Sequence, residues 1–195
     1  MRASIQKFLP YGYLYLVVLG VIKESIFYYP LDINILKYSS IMDILISPIA
    51  DITSYPILIL FFVFLGFVLY FFKHYLLKNL DKKSVRKFLR IEDNESLHLK
   101  AINHQADTTL IAIFFALLMC FFLGFGIGGG YKLADRIAHG TLNFKKNSQT
   151  LHFNSGEAKT VYVIDHNSMY YFYVEKDKKS IEICPLASIK TIEKK

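Results

Sequence analysis

The stretch that decides the fold is Thr108–Tyr131, TTLIAIFFALLMCFFLGFGIGGGY, 24 residues without a formal charge or a proline. At 1.5 Å per residue it would form a helix of roughly 36 Å, enough to cross a hydrocarbon core of about 30 Å with some tilt. Apolar runs dominate the sequence before it, and mixed polar sequence follows it. The stretch therefore predicts a membrane span at the end of a helical region, residues 1–131, followed by a C-terminal domain, residues 132–195.

The composition favours a membrane protein over a soluble one. The chain is 53% hydrophobic and 16% aromatic although it carries 23 Lys and Arg. Apolar and charged residues must therefore lie in separate parts of the chain. A net charge of +7 would suggest nucleic acid in a soluble protein, but basic loops beside membrane spans explain it better. We predict a lipid bilayer as partner and no nucleic acid.

Two further apolar stretches predict membrane helices, at about residues 10–29 and 52–72. The first has tyrosines near both ends, where amphipathic rings prefer the headgroup level. It also contains Lys23 and Glu24, the only charges inside a predicted span. Intramembrane charges are functional candidates by default. These two lie in the last two turns, where a lysine can reach the interface, and a structural role is favoured.

The segment 33–50 between these spans is amphipathic and contains Asp43 and Pro48. We expect a helix that lies in the membrane interface or packs on the bundle. A re-entrant segment is the first alternative. A full span is the second, and it would bury Asp43 near its middle.

The polar loop 73–107 carries eight Lys and Arg against five acids. Its intermittent apolar face predicts a basic amphipathic helix, which can bind anionic lipid, although the commoner role of such a segment is that of a cytoplasmic loop. Residues 31–51 have one Lys and three Asp. The N-terminus and the loop 73–107 are therefore predicted to be cytoplasmic, and the C-terminal domain periplasmic or extracellular. Lys132 and Arg136 favour the opposite side for that domain.

From His139 onward the apolar period changes to two. The pattern predicts an antiparallel meander, either a small open sheet or an SH3-like barrel, with turns rich in Asn, Ser, Gly and Lys. The candidate strands are His139–Phe144, Thr150–Asn154, Thr160–Asp165, Met169–Glu175, Ser180–Cys184 and Ser188–Glu193. A domain of about 60 residues buries little core. We therefore expect it to lean on the membrane, on another copy or on a partner.

Four glycines, Gly124, Gly126, Gly128 and Gly130, form two overlapping small-xxx-small pairs on the last span. Glycines four apart let a neighbouring helix approach closely, so helix packing is the favoured role. A flexible helix end is the alternative. Nucleotide binding is not supported, because no strand precedes the glycines.

The aromatic run 170–173 alternates Tyr170 and Phe172 with Tyr171 and Tyr173 on the two faces of a strand. One pair can fill the core, and Tyr171 and Tyr173, if exposed, would contact a partner. A single Glu95-x-x-His98 lacks the second copy and the core carboxylates of a di-iron site. No hydrolase, zinc-peptidase or P-loop motif occurs, so no catalytic, cofactor or metal residue is predicted.

These observations predict a multi-pass protein of a bacterial inner membrane with three transmembrane helices, one amphipathic segment and a small C-terminal antiparallel β domain. The leading hypothesis is a non-enzymatic interaction, accessory or immunity-type protein that binds a protein partner or oligomerises. The alternative is a membrane-active effector or small oligomeric channel assembled through the glycine-rich third helix. A channel needs a polar stripe along a span, and the predicted spans carry few polar residues.

Overall fold

The computed structural model describes residues 2–54, 56–89, 91, 99–144 and 148–194. The chain is mostly helical and ends in an antiparallel sheet, as predicted. The helices are α1 (Arg2–Tyr28), α2 (Ile41–Ser54), α3 (Pro56–Lys78), α4 (Lys83–Phe88) and α5 (Leu99–His139). The strands are β1 (Ser148–Phe153), β2 (Ala158–His166), β3 (Tyr170–Glu175), β4 (Ile181–Pro185) and β5 (Ile189–Lys194). Short 3-10 turns occupy Tyr29–Leu31, Ile35–Lys37 and Leu186–Ser188.

Three helical stretches in the described part of the chain are long and apolar enough to cross a membrane: Pro10–Leu31, Ile57–Lys78 and Ala101–His139. They correspond to the three predicted spans. The third differs most from its prediction. The predicted span has 24 residues, whereas α5 has 41 residues and would measure roughly 60 Å. It begins inside the loop expected at 73–107 and continues past Tyr131.

The predicted strand His139–Phe144 is wrong, because α5 continues through His139. Gly140 follows with φ of 66°, a left-handed conformation that glycine adopts without steric cost. Its N–H donates to the Ile137 carbonyl at 3.2 Å, and the N–H of Thr141 donates to the Arg136 carbonyl at 2.9 Å. This bond pair is a Schellman motif, so Gly140 ends a helix where the alternating pattern predicted a strand.

The other five predicted strands form one antiparallel sheet in the order β4-β3-β2-β1-β5. The first four strands are a meander, and β5 returns to pair with β1. The register between β2 and β3 shifts after Val163, which pairs with Tyr173, so that Asp165 pairs with Phe172. This irregularity places Asp165 on the face of the sheet that Phe172 occupies.

The chain forms two compact units. One contains Met1–Ile49 and Phe122–Lys195, and the other contains Ala50–Phe121. The division into 1–131 and 132–195 remains a prediction. The second unit has an apolar core where α3, α4 and α5 meet, with an ion pair of 2.6 Å between Lys73 and Asp107.

Both faces of the sheet in the first unit carry buried side chains. One face holds Leu151, Val161, Tyr171 and Tyr173. On the other face, Phe172 packs with residues from the end of α1 and the α1–α2 connection, among them Tyr28 and Ile35. The sequence suggested support from the membrane, another copy or a partner. The structure has this face supported by the connection between α1 and α2 of the same chain.

Candidate functional site

The end of the β2–β3 hairpin contacts the end of α1, the α1–α2 connection and the start of α2 through three sets of polar bonds. The Tyr28 hydroxyl donates to Asp165 Oδ2 at 3.0 Å. A second bond of 3.0 Å runs from Asn167 Nδ2 to the Tyr38 carbonyl. Ser168 donates to Asp43, from its N–H to Oδ1 at 3.2 Å and from its hydroxyl to Oδ2 at 2.9 Å. We call this contact the hairpin seat; it comprises Tyr28, Tyr38, Asp43, Asp165, Asn167 and Ser168.

Asp43 has a second role at the start of α2. Its Oδ2 accepts from the N–H of Ser40 at 2.9 Å, while the Ser40 hydroxyl accepts from the N–H of Asp43 at 3.1 Å. This reciprocal pair has the geometry of a capping box with aspartate in place of glutamate. Partial burial opposes ionisation, but the bonds from Ser40 and Ser168 outweigh it and hold the pKa of Asp43 below its usual range. One carboxylate therefore caps a helix and holds the hairpin.

Asn167 fixes the shape of the turn. Its Oδ1 accepts from the N–H groups of Met169 at 3.0 Å and Tyr170 at 2.7 Å, which is an Asx-type turn. Below it, the Tyr38 ring meets Tyr170 and Phe172 edge to face, with centroids 5.3 Å and 6.0 Å away. Aromatic pairs of this geometry stabilise beyond their buried area. The seat is thus polar at the turn and aromatic beneath it.

Lys23 and Glu24 lie in the contact between α1 and α2. Lys23 Nζ donates to Glu24 Oε1 at 3.1 Å and to Ser47 Oγ at 2.5 Å, and the Ser47 hydroxyl also bonds to Glu24. The two charged side chains are only 9% and 12% exposed. Beside them, a methyl group on Gly20 would overlap the carbonyl of Ile44. Because Gly20 has no side chain, α2 can approach α1 closely. Ser47 then provides a hydrogen-bond partner for both charged groups.

The four glycines of α5 differ in their surroundings. Gly126 and Gly130 face α1: a methyl on Gly126 would lie 3.3 Å from an α1 carbonyl oxygen, and one on Gly130 would overlap the Phe27 carbonyl. Methyl groups on Gly124 and Gly128 would meet nothing within 4 Å in the described part of the chain. One predicted pair therefore contacts α1 and the other faces open space.

Tyr171 and Tyr173 are inside the β domain, 4% and 3% exposed. The Tyr171 hydroxyl donates to Gln149 Oε1 at 3.0 Å, and that of Tyr173 to Glu182 Oε2 at 2.9 Å. Burial raises the pKa of both phenols, and the Glu182 charge raises that of Tyr173 further. The hypothesis of a partner surface required exposed rings. Both rings pack with Leu151 and Val161 on one face of the sheet, so they serve the core instead.

Two lysines and two glutamates surround the hydroxyl end of Tyr173. Lys178 Nζ lies 2.6 Å from Glu175 and 2.9 Å from Glu182, and Lys159 Nζ lies 3.3 Å and 3.4 Å from the same carboxylates. Partial burial raises the pKa of Glu182, but bonds from Lys178 and Tyr173 outweigh it and leave the pKa low. These charges compensate one another and join β2, β3 and β4.

The described residues contain no group of three or more His, Cys, Asp or Glu placed to hold a metal ion. Glu95 and His98 lie outside those residues. Comparison of the chain with protein-family models, with curated protein sequences and with solved structures gives no match. The function is therefore argued from the geometry of the chain itself.

The hairpin seat was not predicted, although two local signals for it exist. Ser40-x-x-Asp43 has the spacing of a capping box. Asn167-Ser168 stands at a turn between two strands, where an Asn side chain folds back onto the backbone. Both signals identify the local structure, but neither indicates that the two ends meet across more than 120 residues.

Proposed function

We propose that the chain is a multi-pass protein of a bacterial inner membrane that acts as a non-enzymatic interaction, accessory or immunity-type protein through its β domain. The observation that carries this proposal is the hairpin seat. Bonds to Tyr28, Tyr38 and Asp43 hold one end of the domain against the end of the membrane-length helix α1 and the start of α2. A small domain held in this way presents its outer surface in a fixed orientation, as an anchored binding module requires.

Membrane insertion is supported by the surface of α3. No residue of its most apolar window is buried inside the structure, and large side chains such as Leu60, Phe64 and Phe71 are more than 60% exposed. Contiguous apolar surface on this scale indicates an apolar environment rather than water. A lipid environment also accounts for the absence of polar residues from residues 56–69.

The hairpin seat also supports the proposed topology. It brings the β domain to the α1–α2 connection, which the charge distribution predicts to face outward. The two segments then share the periplasmic or extracellular side, with the N-terminus and the loop 73–107 in the cytoplasm. Reporter fusions after Lys195 and within residues 84–96 test this arrangement. Signals from the same side would contradict it.

A partner has access to the outer surface of the β domain rather than to its interior. The edge strand β5 is largely exposed, with Ile192 43% exposed. Within the described residues its one strand neighbour is β1. An edge strand of this kind can accept an extended segment of another protein, although its charged side chains oppose unselective pairing.

The experiment is crosslinking in native membranes, followed by purification through a C-terminal tag. We expect a partner on the wild-type chain and reduced capture with Asp43→Ala, which removes both acceptor oxygens of the bonds from Ser168. Asp81→Ala, at an exposed aspartate of the other unit, is the matched control and should capture the partner normally. Equal capture by Asp43→Ala and the wild type would contradict the role of the seat.

The membrane-active effector or channel is the second candidate, and the open face at Gly124 and Gly128 favours it. Two copies of α5 could approach closely there, since neither position contacts another described helix. Expression that dissipates the membrane potential, and that Gly128→Leu abolishes, would favour this candidate. An intact potential together with a captured partner would favour the interaction role.

A further inference from the structure

The corner where α3 ends and α4 begins is strongly basic. Residues 73–91 contain seven Lys and Arg and a single acid, Asp81. Lys78, Lys82, Lys83 and Lys87 are all exposed, while Lys73 is paired with Asp107. Four lysine side chains are thus displayed within a short length of chain.

A buried apolar cluster fixes this corner as part of the fold. Val85 and Leu89 of the α4 segment are buried, and they pack with Leu76 and Leu80 at the end of α3. Ile102, Ala106 and Leu110 of α5 complete the cluster. Since the apolar side of α4 faces inward, its lysines are held on the opposite, exposed side.

Aromatic rings adjoin the lysines. Phe72 stacks with Tyr75, centroids 6.5 Å apart, and meets Phe88 edge to face at 5.9 Å. Tyr75 and Phe88 are 53% and 40% exposed. Lys82 Nζ lies 5.7 Å from the centre of the Tyr75 ring. Exposed rings next to exposed ammonium groups are typical of chain at the level of lipid headgroups.

We propose that this basic corner binds lipids with anionic phosphate headgroups, the lysines contacting the phosphates and Tyr75 and Phe88 entering the acyl boundary. The inference rests on the proposed membrane insertion, because Tyr75 stands in the last turn of the candidate span Ile57–Lys78 and Phe88 contacts Phe72 of the same span. A lipid fits better than a soluble polyanion, since a soluble ligand would leave the apolar rings in water.

The test is native mass spectrometry of the full chain, purified in detergent and titrated with phosphatidylglycerol or phosphatidylcholine. We expect the wild type to retain phosphatidylglycerol in preference to phosphatidylcholine. The triple variant Lys82→Ala, Lys83→Ala, Lys87→Ala should bind phosphatidylglycerol roughly 100-fold more weakly. The charge-preserving triple Lys→Arg variant should bind as the wild type does, which separates charge from folding.

The matched control removes three exposed lysines of the β domain, Lys176, Lys190 and Lys194, and should leave lipid binding unchanged. An equal loss with this control, or equal retention of both lipids by the wild type, would overturn the proposal. Displacement of the lipid by millimolar inorganic phosphate would also overturn it, by assigning the site to free phosphate. Membrane fractionation separates the two hypotheses: a chain released by alkaline carbonate refutes insertion, whereas an inserted chain without lipid preference refutes only the lipid site.

Discussion

Because of the contact between α1 and α5, we expect the same substitution to have different effects on stability at two glycines only two residues apart. A methyl group on Gly130 would overlap the Phe27 carbonyl, whereas one on Gly128 would meet nothing within 4 Å of the described chain. Gly→Ala is the same chemical change at both positions and has the same intrinsic effect on the helix. Gly130→Ala and Gly128→Ala are therefore a matched pair in which contact with α1 is the variable.

Two opposing effects set the magnitude. Alanine is favoured over glycine in a helix interior by about 1 kcal/mol. Forcing an extra methyl into a packed contact costs about 1–3 kcal/mol, and a carbonyl oxygen on a helix backbone cannot move aside as a flexible side chain can. The overlap therefore places the cost in the upper part of that range, about 2–3 kcal/mol. After the helix preference of about 1 kcal/mol is subtracted, we expect Gly130→Ala to lower the free energy of unfolding by about 1–2 kcal/mol. Gly128→Ala should be neutral or slightly stabilising, and Gly126→Ala, with its contact of 3.3 Å, should fall between them.

The assay must suit a chain without tryptophan. Fluorescent-protein fusions in detergent can be heated in steps and analysed by size-exclusion chromatography for the fraction that remains monodisperse. The expected loss for Gly130→Ala corresponds to a midpoint lower by roughly 2–8 °C. Equal midpoints for Gly130→Ala and the wild type would refute the reasoning, as would an equal loss with Gly128→Ala. If Gly130→Ala does not fold, the midpoints of the other two variants still test the reasoning, since Gly126→Ala should have a lower midpoint than Gly128→Ala.

Three further predictions concern charged and aromatic groups. The folded-state pKa of Asp43 is lowered, so its stabilising effect is complete at neutral pH and is lost as the pH falls below about 4. In thermal scans between pH 3 and 7, the melting midpoint of Asp43→Asn should therefore depend less on pH than that of the wild type. Lys23→Met removes the ammonium partner of Glu24 and Ser47 in a nearly closed contact and should cost about 3 kcal/mol, whereas the exposed control Lys190→Met should be neutral in the same heating assay. Tyr173→Phe keeps the ring and removes the hydroxyl that bonds to Glu182, and it should cost about 1 kcal/mol. Tyr173→Ala also leaves a cavity and should cost about 3–5 kcal/mol. Equal effects of the two Tyr173 substitutions would mean that the ring is not packed in the core.

Much of the fold was predictable because its signals are local. An uncharged run of more than 20 residues indicates a membrane-length helix by its composition, and five strands were found from alternation and turn residues. The error at His139–Phe144 has a local cause as well. Residues 141–144, Thr-Leu-Asn-Phe, alternate in polarity directly after α5. The helix-ending role of Gly140 becomes apparent only from its φ of 66° and the bonds that close the helix end.

The contacts between distant segments were not predictable in the same way. The glycine spacing shows that close packing is feasible, but whether Gly126 or Gly128 meets a neighbour depends on how α5 is rotated about its axis. Similarly, the alternation in 170–173 defines two faces without showing what covers them. The burial of Tyr171 and Tyr173 depends on side chains from other strands, among them Leu151 and Val161, that pack on the same face. These partners are not a property of the four residues themselves.

The seat and the helix contacts are mechanically connected through α2. The N-terminal turn of α2 provides Asp43, which holds the hairpin. Ser47, about one helical turn later, bonds to Lys23 and Glu24 of α1. Ile44, between them, packs against Gly20. Within five residues, α2 therefore contacts both the β domain and α1. A change that moves α2 along α1 must alter the position of the Asp43 carboxylate relative to Ser168, because the helix backbone between residues 43 and 47 is rigid.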